Sequence, residues 1–238
     1  MKSVSFGRVY LVGAGPGAAD LITVRGARLL QQAEVVLYDA LVTPEMLGLC
    51  PQAVQISVGK RSGQRSTAQL EINEKLVECA RQYRHVVRLK GGDPMLFGRA
   101  DEELRALEAH GIEVEIVPGI TAALAAAAAA KQPLTMRGIA RSVAFFTSAT
   151  APGHREQTTL PDCDTLVQYM GGSEAILTAE RLLQQGRSEN TPVVIVENCS
   201  LPTQHVAHLT LGGLKQGIEA CSGPVLVMIG DSLGPRQP

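Results

Sequence analysis

The stretch Val87-Arg88-Leu89-Lys90-Gly91-Gly92-Asp93-Pro94-Met95-Leu96-Phe97-Gly98-Arg99 limits the folds open to this chain more than any other segment. Val86 to Leu89 is an apolar, β-branched run that reads as a buried strand. It stops at two glycines, an acid and a proline, and a charged helix over Ala100–Leu107 follows. Adjacent glycines leave backbone amides and carbonyls bare, because no β-carbon stands in the way. At the carboxyl end of a strand, such a loop is where α/β proteins bind small ligands. The competing reading is an ordinary strand-to-helix turn built on a glycine pair.

Strand, loop and helix alternate through the rest of the chain. Val9–Val12 is a strand, followed by the loop Gly13-Ala14-Gly15-Pro16-Gly17 and a helix opening near Asp20, a good N-cap residue. Val35–Tyr38 ends at Asp39, Val54–Val58 leads into Gly59-Lys60-Arg61-Ser62-Gly63, Gln69–Tyr83 is a long helix, and Val114–Val117 is a strand. Pro118-Gly119 reads as a hinge, because the pattern then starts again with an alanine-rich helix. Strands follow near Val143–Thr147, Leu166–Met170, Val193–Val196 and Val225–Ile229, with helices around Glu174–Gln185 and Leu211–Glu219. The pattern predicts two α/β domains, 1–118 and 119–238, with a cleft between them.

Composition narrows the function classes. With 238 residues, 45% hydrophobic and 19% charged, the chain is globular and long enough to bury real cores. A net charge of −1 supplies no global field for nucleic acid or an anionic membrane, so an acidic substrate must be met by local Arg and Lys clusters. Cys50, Cys79, Cys163, Cys199 and Cys221 are odd in number and scattered, which indicates neither a disulfide framework nor a zinc site. His205 and His208 have no carboxylate or cysteine beside them and suit a surface or strand edge better than a metal. No signal peptide is visible, and Ala122–Ala130 is far shorter than the ~20 apolar residues of a membrane span. That run reads as a helix packed closely against another helix or a second subunit. The protein is read as soluble and cytoplasmic.

Val9 to Asp39 imitates a dinucleotide-binding unit: strand, Gly-x-Gly turn, helix, strand and terminal acid. Ala18 stands at the third glycine position, where alanine is accepted. Pro16 weighs more, because a proline offers no N–H to a pyrophosphate. On this segment alone a nicotinamide dehydrogenase stays open.

An ordered set of motifs, from about Val9 to Gly230, resembles the tetrapyrrole methylases, most closely the uroporphyrinogen-III C-methyltransferases. The set comprises Val12-Gly13-Ala14-Gly15-Pro16-Gly17, Tyr38-Asp39-Ala40-Leu41-Val42, Val58-Gly59-Lys60-Arg61 and Gln69-Leu70-Glu71-Ile72-Asn73. It continues with Gly91-Gly92-Asp93-Pro94, Phe97-Gly98-Arg99, Val117-Pro118-Gly119-Ile120-Thr121-Ala122 and Pro133-Leu134-Thr135-Met136-Arg137. Tyr169-Met170-Gly171 and Val196-Glu197-Asn198 complete it. The resemblance implies two α/β domains with S-adenosylmethionine folded in the cleft between them, usually in a homodimer. The implied reaction methylates C2 and C7 of uroporphyrinogen III to give precorrin-2, with S-adenosylhomocysteine as by-product. With no dehydrogenase–chelatase module ahead of Val9, a stand-alone methyltransferase is expected.

By resemblance, Pro16, Gly91, Gly92, Asp93, Leu96, Thr121, Ala122, Met170 and Cys199 occupy cofactor-contact positions. Asp39 and Lys60 match positions with acid–base roles, and Arg99, Glu102 and Arg137 match positions that handle substrate, with Arg99 also a catalytic candidate. The chain departs from the family's usual residues at Met136 (usually His), Leu124 (usually Ser) and Cys199 (usually Gly).

Methylation of an electron-rich pyrrole carbon needs positioning and a base to take the ring proton, not a Ser or Cys nucleophile. The substrate's carboxylates suit the planar fork of arginine. Plainer readings stand beside each role. Arg99 at a helix start suits an external anion, or pairs with Glu102 or Glu103. Asp39 suits a turn or cap as well as a base, Lys60 a solvated loop, and Met170 core packing. Two rivals remain: a methyltransferase for a later corrin precursor, and a non-catalytic protein that binds the same cofactor.

Overall fold

The computed structural model describes residues 6–59, 69–148, 160–218 and 221–235. Lys60, Arg61 and Arg65 lie outside the described residues. Two compact units, Met1–Thr121 and Ala122–Pro238, divide the chain.

In the first unit the elements run β1 (Arg8–Gly13), α1 (Val24–Gln32), β2 (Val35–Tyr38), α2 (Pro44–Leu47), β3 (Val54–Ser57), α3 (Gln69–Gln82), β4 (His85–Lys90), α4 (Ala100–Glu108) and β5 (Val114–Val117). The sheet is wholly parallel, in the order β3-β2-β4-β1-β5. Both faces of its central strands are covered, which is why these strands read as nearly unbroken apolar runs. Val9, Leu11 and Val86 point to the side of α3 and α4, where Leu76 and Leu107 are buried. Tyr10, Val12, Val87 and Leu89 point to the other side, against Leu30 of α1 and Met46 of α2. In a parallel sheet all carboxyl ends lie on one edge, so the loops after β1, β2, β4 and β5 emerge together.

The first helix begins later than Asp20. Ala19–Leu21 forms a 3-10 turn, and α1 starts after Thr23, whose hydroxyl accepts the N–H of Gly26 at 3.1 Å. Thr23 satisfies one of the orphan amides of the first helical turn, whereas Ile22 is extended and cannot belong to a helix begun at Asp20.

The second unit contains α5 (Ala122–Ala129), β6 (Val143–Thr147), β7 (Thr165–Tyr169), α6 (Ala175–Gln184), β8 (Pro192–Glu197), β9 (His205–Thr210), α7 (Leu211–Lys215) and β10 (Val225–Ile229). Its sheet is mixed, β6-β7-β10-β8-β9, with only the β6–β7 pair parallel. Leu166, Ile195, Val227 and Ile229 face α6 and α7, while Val167, Val194, Val196 and Met228 face α5. The alanine helix therefore packs on a sheet face within its own unit, where a helix or a second subunit was the expected neighbour. Ala123 and Ala126 are wholly buried there, and their small side chains let the helix lie close to the strands. His205 and His208 lie on β9, the edge strand. Among the described residues no helix is long and apolar enough to cross a membrane.

Candidate active site

At the carboxyl edge of the first sheet, three strand ends meet backbone to backbone. Gly15 N–H donates to the Gly92 carbonyl at 3.1 Å, and Gly92 N–H donates back to Gly15 at 2.7 Å. A β-carbon on Gly13 would lie 2.6 Å from Gly119, and one on Gly119 only 2.2 Å from the Gly92 oxygen. Such distances leave room for nothing but hydrogen, so glycine is required by the junction itself. Gly92 differs: its φ is +67°, and a β-carbon there would meet nothing within 4 Å. Its outer face is open.

Two carboxylates brace this junction. Asp39, at the end of β2, accepts Leu41 N–H on Oδ1 and Gly91 N–H on Oδ2, both at 3.0 Å. Asp93 accepts Met95 N–H on Oδ1 at 2.8 Å and Gly119 N–H on Oδ2 at 2.9 Å. Each acid thereby ties the loop after β4 to another segment or to its own turn. Pro16 stands in the β1 loop beside Gly15, Leu96 N–H reaches the Asp93 carbonyl at 3.3 Å, and Thr121 closes the unit after Gly119.

The loop then tightens into α4 through two non-glycine residues in the left-handed region, Phe97 (φ 53°) and Arg99 (φ 56°). Backbone strain of this kind gathers at functional sites. Arg99 donates from Nε to Glu102 Oε1 and from Nη2 to Glu102 Oε2, both at 2.7 Å. The two exposed side chains hold each other in a fork, which raises the Arg99 pKa and lowers that of Glu102 chiefly through those hydrogen bonds.

Beneath the loop lies a cluster the residue pattern had not suggested. Arg88 and Lys90, alternate residues of β4, share one wholly buried carboxylate, Glu103 of α4, at 3.0 and 2.7 Å. Alternate residues of a strand share a face, so Arg88 and Lys90 together in an apolar strand were the available signal. Gln69 Nε2 donates to Asn73 Oδ1 at 3.0 Å and reaches Glu103 Oε1 at 3.5 Å, while Asn73 Nδ2 donates to the Glu102 carbonyl at 3.1 Å.

The second unit gathers its own candidates at one edge of its sheet. Antiparallel pairing of β7 and β8 to the intervening β10 puts Met170 and Cys199 after strand ends on either side of Val225. Ala123 N–H donates to the Tyr169 hydroxyl at 3.1 Å, bringing the start of α5, with Ala122, to the same edge. Met170 (φ 56°) and Asn198 (φ 49°) are both left-handed, and Met170 is 54% exposed. That exposure separates Met170 from the packed core. A cavity of about 490 Å³ opens beside Met170, lined also by Gly172, Ile218, Gly223 and Pro224, and neither Cys199 nor Ala122 is among its lining residues. Cys199 is buried, and burial pushes its thiol pKa up, away from nucleophilic use. Arg137 is exposed on the loop closed by the Met136–Ala140 bridge.

Over residues 8–215 the sequence matches the family described as Tetrapyrrole (Corrin/Porphyrin) Methylases. The chain belongs to the tetrapyrrole methylases. This tetrapyrrole methylase is 48% identical over 232 residues to a siroheme synthase of Neisseria meningitidis serogroup B, covering 96% of the chain and 48% of that protein. It thus spans about half the length of the curated relatives it matches. A uroporphyrin-III C-methyltransferase from Thermus thermophilus, solved with S-adenosylhomocysteine, superposes with a TM-score of 0.81 at 39% identity, covering 95% of this chain and 93% of that one. A cobalt precorrin-4 methyltransferase superposes with a TM-score of 0.79 at 30% identity, over 96% of both chains.

Proposed function

We propose that this chain is an S-adenosylmethionine-dependent C-methyltransferase that converts uroporphyrinogen III to precorrin-2 by methylation at C2 and C7. The observation that carries the proposal is the glycine junction at the carboxyl edge of the first sheet, packed shut at Gly13 and Gly119 but open at Gly92. With no β-carbon on its open side, Gly92 leaves room for a ligand to lie against the loop. When bound, S-adenosylmethionine supplies a sulfonium methyl group to the pyrrole carbon by in-line displacement. Pro16, Gly91, Gly92, Asp93, Leu96, Thr121, Ala122, Met170 and Cys199 are the residues proposed to hold it.

The chain's remaining tasks are to grip an acidic macrocycle and to remove a ring proton. Arg99 spends Nε and Nη2 on Glu102, which fixes the guanidinium plane and leaves Nη1 for a substrate carboxylate. Arg137 offers a second guanidinium in an exposed position. Asp39 is the proposed base: its oxygens each accept one backbone N–H, and each retains a further lone pair for the proton. Lys60 is its proposed partner in acid–base work.

The likeness to a cobalt precorrin-4 methyltransferase favours one second reading, methylation of a later corrin precursor. Incubation with uroporphyrinogen III and S-adenosylmethionine, followed by mass spectrometry, tests the choice. Two added methyl groups support the proposal; an unmodified macrocycle overturns it, and modification of a more highly methylated precursor would then select the second reading. A non-catalytic binding protein would bind the cofactor and turn over neither. We further propose a cytoplasmic homodimer that needs neither nucleic acid nor membrane, in keeping with the net charge of −1.

A further inference from the structure

The cluster below the glycine loop is unbalanced. Arg88 and Lys90 carry two positive charges and Glu103 one negative charge, and all three side chains are at least 95% buried. Removing an ion from water is costly, and one carboxylate fully compensates only one cation. Arg88 is the better-housed cation, since its Nη1 also donates to the Leu89 carbonyl at 3.0 Å. Among the described residues, Lys90 is bonded through its side chain to Glu103 alone. Charge balance within the core would be met by Arg88 and Glu103.

Lys90 sits where a surplus charge has an outlet. It is the last residue of β4, and the next residue, Gly91, donates its N–H to Asp39. Its side chain passes beside Gly98, where an added β-carbon would come within 3.2 Å of Lys90 Cε. Glu103, which binds its ammonium, directly follows Glu102, the partner of Arg99. Burial and the neighbouring Arg88 push the Lys90 pKa down, while Glu103 and Asp39 oppose them; its charge in turn acts on Glu102. Lys90 thus lies one residue from the amide that holds Asp39 and bonds the residue next to Glu102.

We infer that Lys90 is a positioning residue for methyl transfer: its buried ammonium, surplus to the pairing of Arg88 with Glu103, anchors Asp39 and the Glu102–Arg99 fork in the arrangement the reaction needs. The inference rests on the reading of Asp39 and Arg99 as residues of the uroporphyrinogen-III methyltransferase site. Gln69 and Asn73 complete the device, steadying Glu103 and the first turn of α4 from the start of α3.

The test is Lys90→Met, which removes the ammonium from an unbranched side chain of nearly the same length and leaves a charge-balanced Arg88–Glu103 pair. Unfolding midpoint, S-adenosylhomocysteine affinity, and KM and kcat for uroporphyrinogen III are read on the same preparation. The midpoint is expected to fall only by the one hydrogen bond that Glu103 Oε2 loses, and the cofactor affinity to hold, while kcat falls by about tenfold to a hundredfold, the size of effect that misplacement of reacting groups produces. In an Asp39→Asn background the same substitution is expected to add little, because Lys90 acts through Asp39. A variant as active as the wild type overturns the inference. So does one that fails to fold, or that loses stability, cofactor affinity and kcat together, since Lys90 would then be structural. Full additivity with Asp39→Asn also overturns it. Failure of the wild-type chain to methylate uroporphyrinogen III would instead strike the functional reading itself.

Discussion

Gly15 and Gly92 exchange a reciprocal pair of backbone hydrogen bonds, 3.1 and 2.7 Å long, between loops that follow neighbouring strands. The exchange pins the β1 loop to the β4 loop and turns the open side of Gly92 outward. Glycines at this junction consequently fall into two kinds, and substitution separates them. Gly119→Ala drives a β-carbon into the Gly92 carbonyl and is expected to lower the unfolding midpoint and S-adenosylhomocysteine affinity together. Gly92→Ala meets no atom and bears only the left-handed backbone, about 1–2 kcal/mol. Gly92→Val adds a branched side chain to the open face and is expected to abolish cofactor binding in a folded protein. Calorimetric titration of the three variants checks this; undiminished affinity in Gly92→Val would remove the glycine loop from the cofactor site.

Arg99 and Glu102 make a bidentate pair, and lysine cannot reproduce the fork. Arg99→Lys is expected to slow turnover by about tenfold to a hundredfold, the equivalent of one charge-assisted hydrogen bond of about 1.5–3 kcal/mol. Cofactor affinity is expected to stay at the wild-type value. Steady-state kinetics beside calorimetry decides the matter, and near-normal turnover in both Arg99→Lys and Arg99→Ala would reduce the pair to surface decoration.

Glu103 carries the opposite expectation from Lys90. Glu103→Gln leaves Arg88 and Lys90 buried without a counter-charge, and the loss of one partner from a buried ion cluster costs about 3–5 kcal/mol. Urea unfolding is expected to show that loss at neutral pH. A shift below about 1 kcal/mol, the range of an exposed pair, would mean that water reaches the cluster.

Glu197 makes stability depend on acid. Its Oε1 accepts the N–H groups of Ser222 at 2.6 Å and Gly223 at 2.9 Å, and these bonds hold its pKa below the ordinary 4.5. A carboxyl group depressed in the folded state contributes fully above its unfolded value and loses that contribution as pH falls through the folded one. The stability gap between wild type and Glu197→Gln is therefore expected to be widest near neutrality and to close in the window below 4.5. Urea midpoints over a pH series measure it; a gap that does not change with acid would contradict the assignment.

How much of this could be read from residues alone depended on what each residue type does to the backbone. The strands ending in glycine were legible because apolar runs with abrupt glycine stops have few other uses, and Gly91, Gly92, Asp39 and Asp93 do converge on one edge. The start of α1 was misplaced because Asp20 and Thr23 are both capable caps, and only the extended backbone at Ile22 chooses between them. Pattern also cannot say what a uniformly small helix packs on; Ala123 and Ala126 fit against a sheet as well as against a helix. The strand β9 escaped because its alternation is weak and its outward residues are polar. Glu103 was hidden for a different reason: an acid in the first turn of a helix ordinarily serves the helix dipole from the surface, and its burial depends on two cations of the preceding strand, whose side chains the fold turns toward α4.

The order of strands in the first sheet also bears on how the chain is made. Within this sheet β1 is synthesised before the other strands, yet its two neighbours, β4 and β5, are the last strands of the unit. At about 5–20 residues per second, β1 waits roughly 5–20 s for Val117 to be synthesised. Until then at least one of its apolar edges lacks its native cover, the condition that invites pairing with a neighbouring nascent chain. A fragment released before residue 114 would keep one of those edges bare indefinitely, so synthesis of this unit is safe only when it runs through to β5.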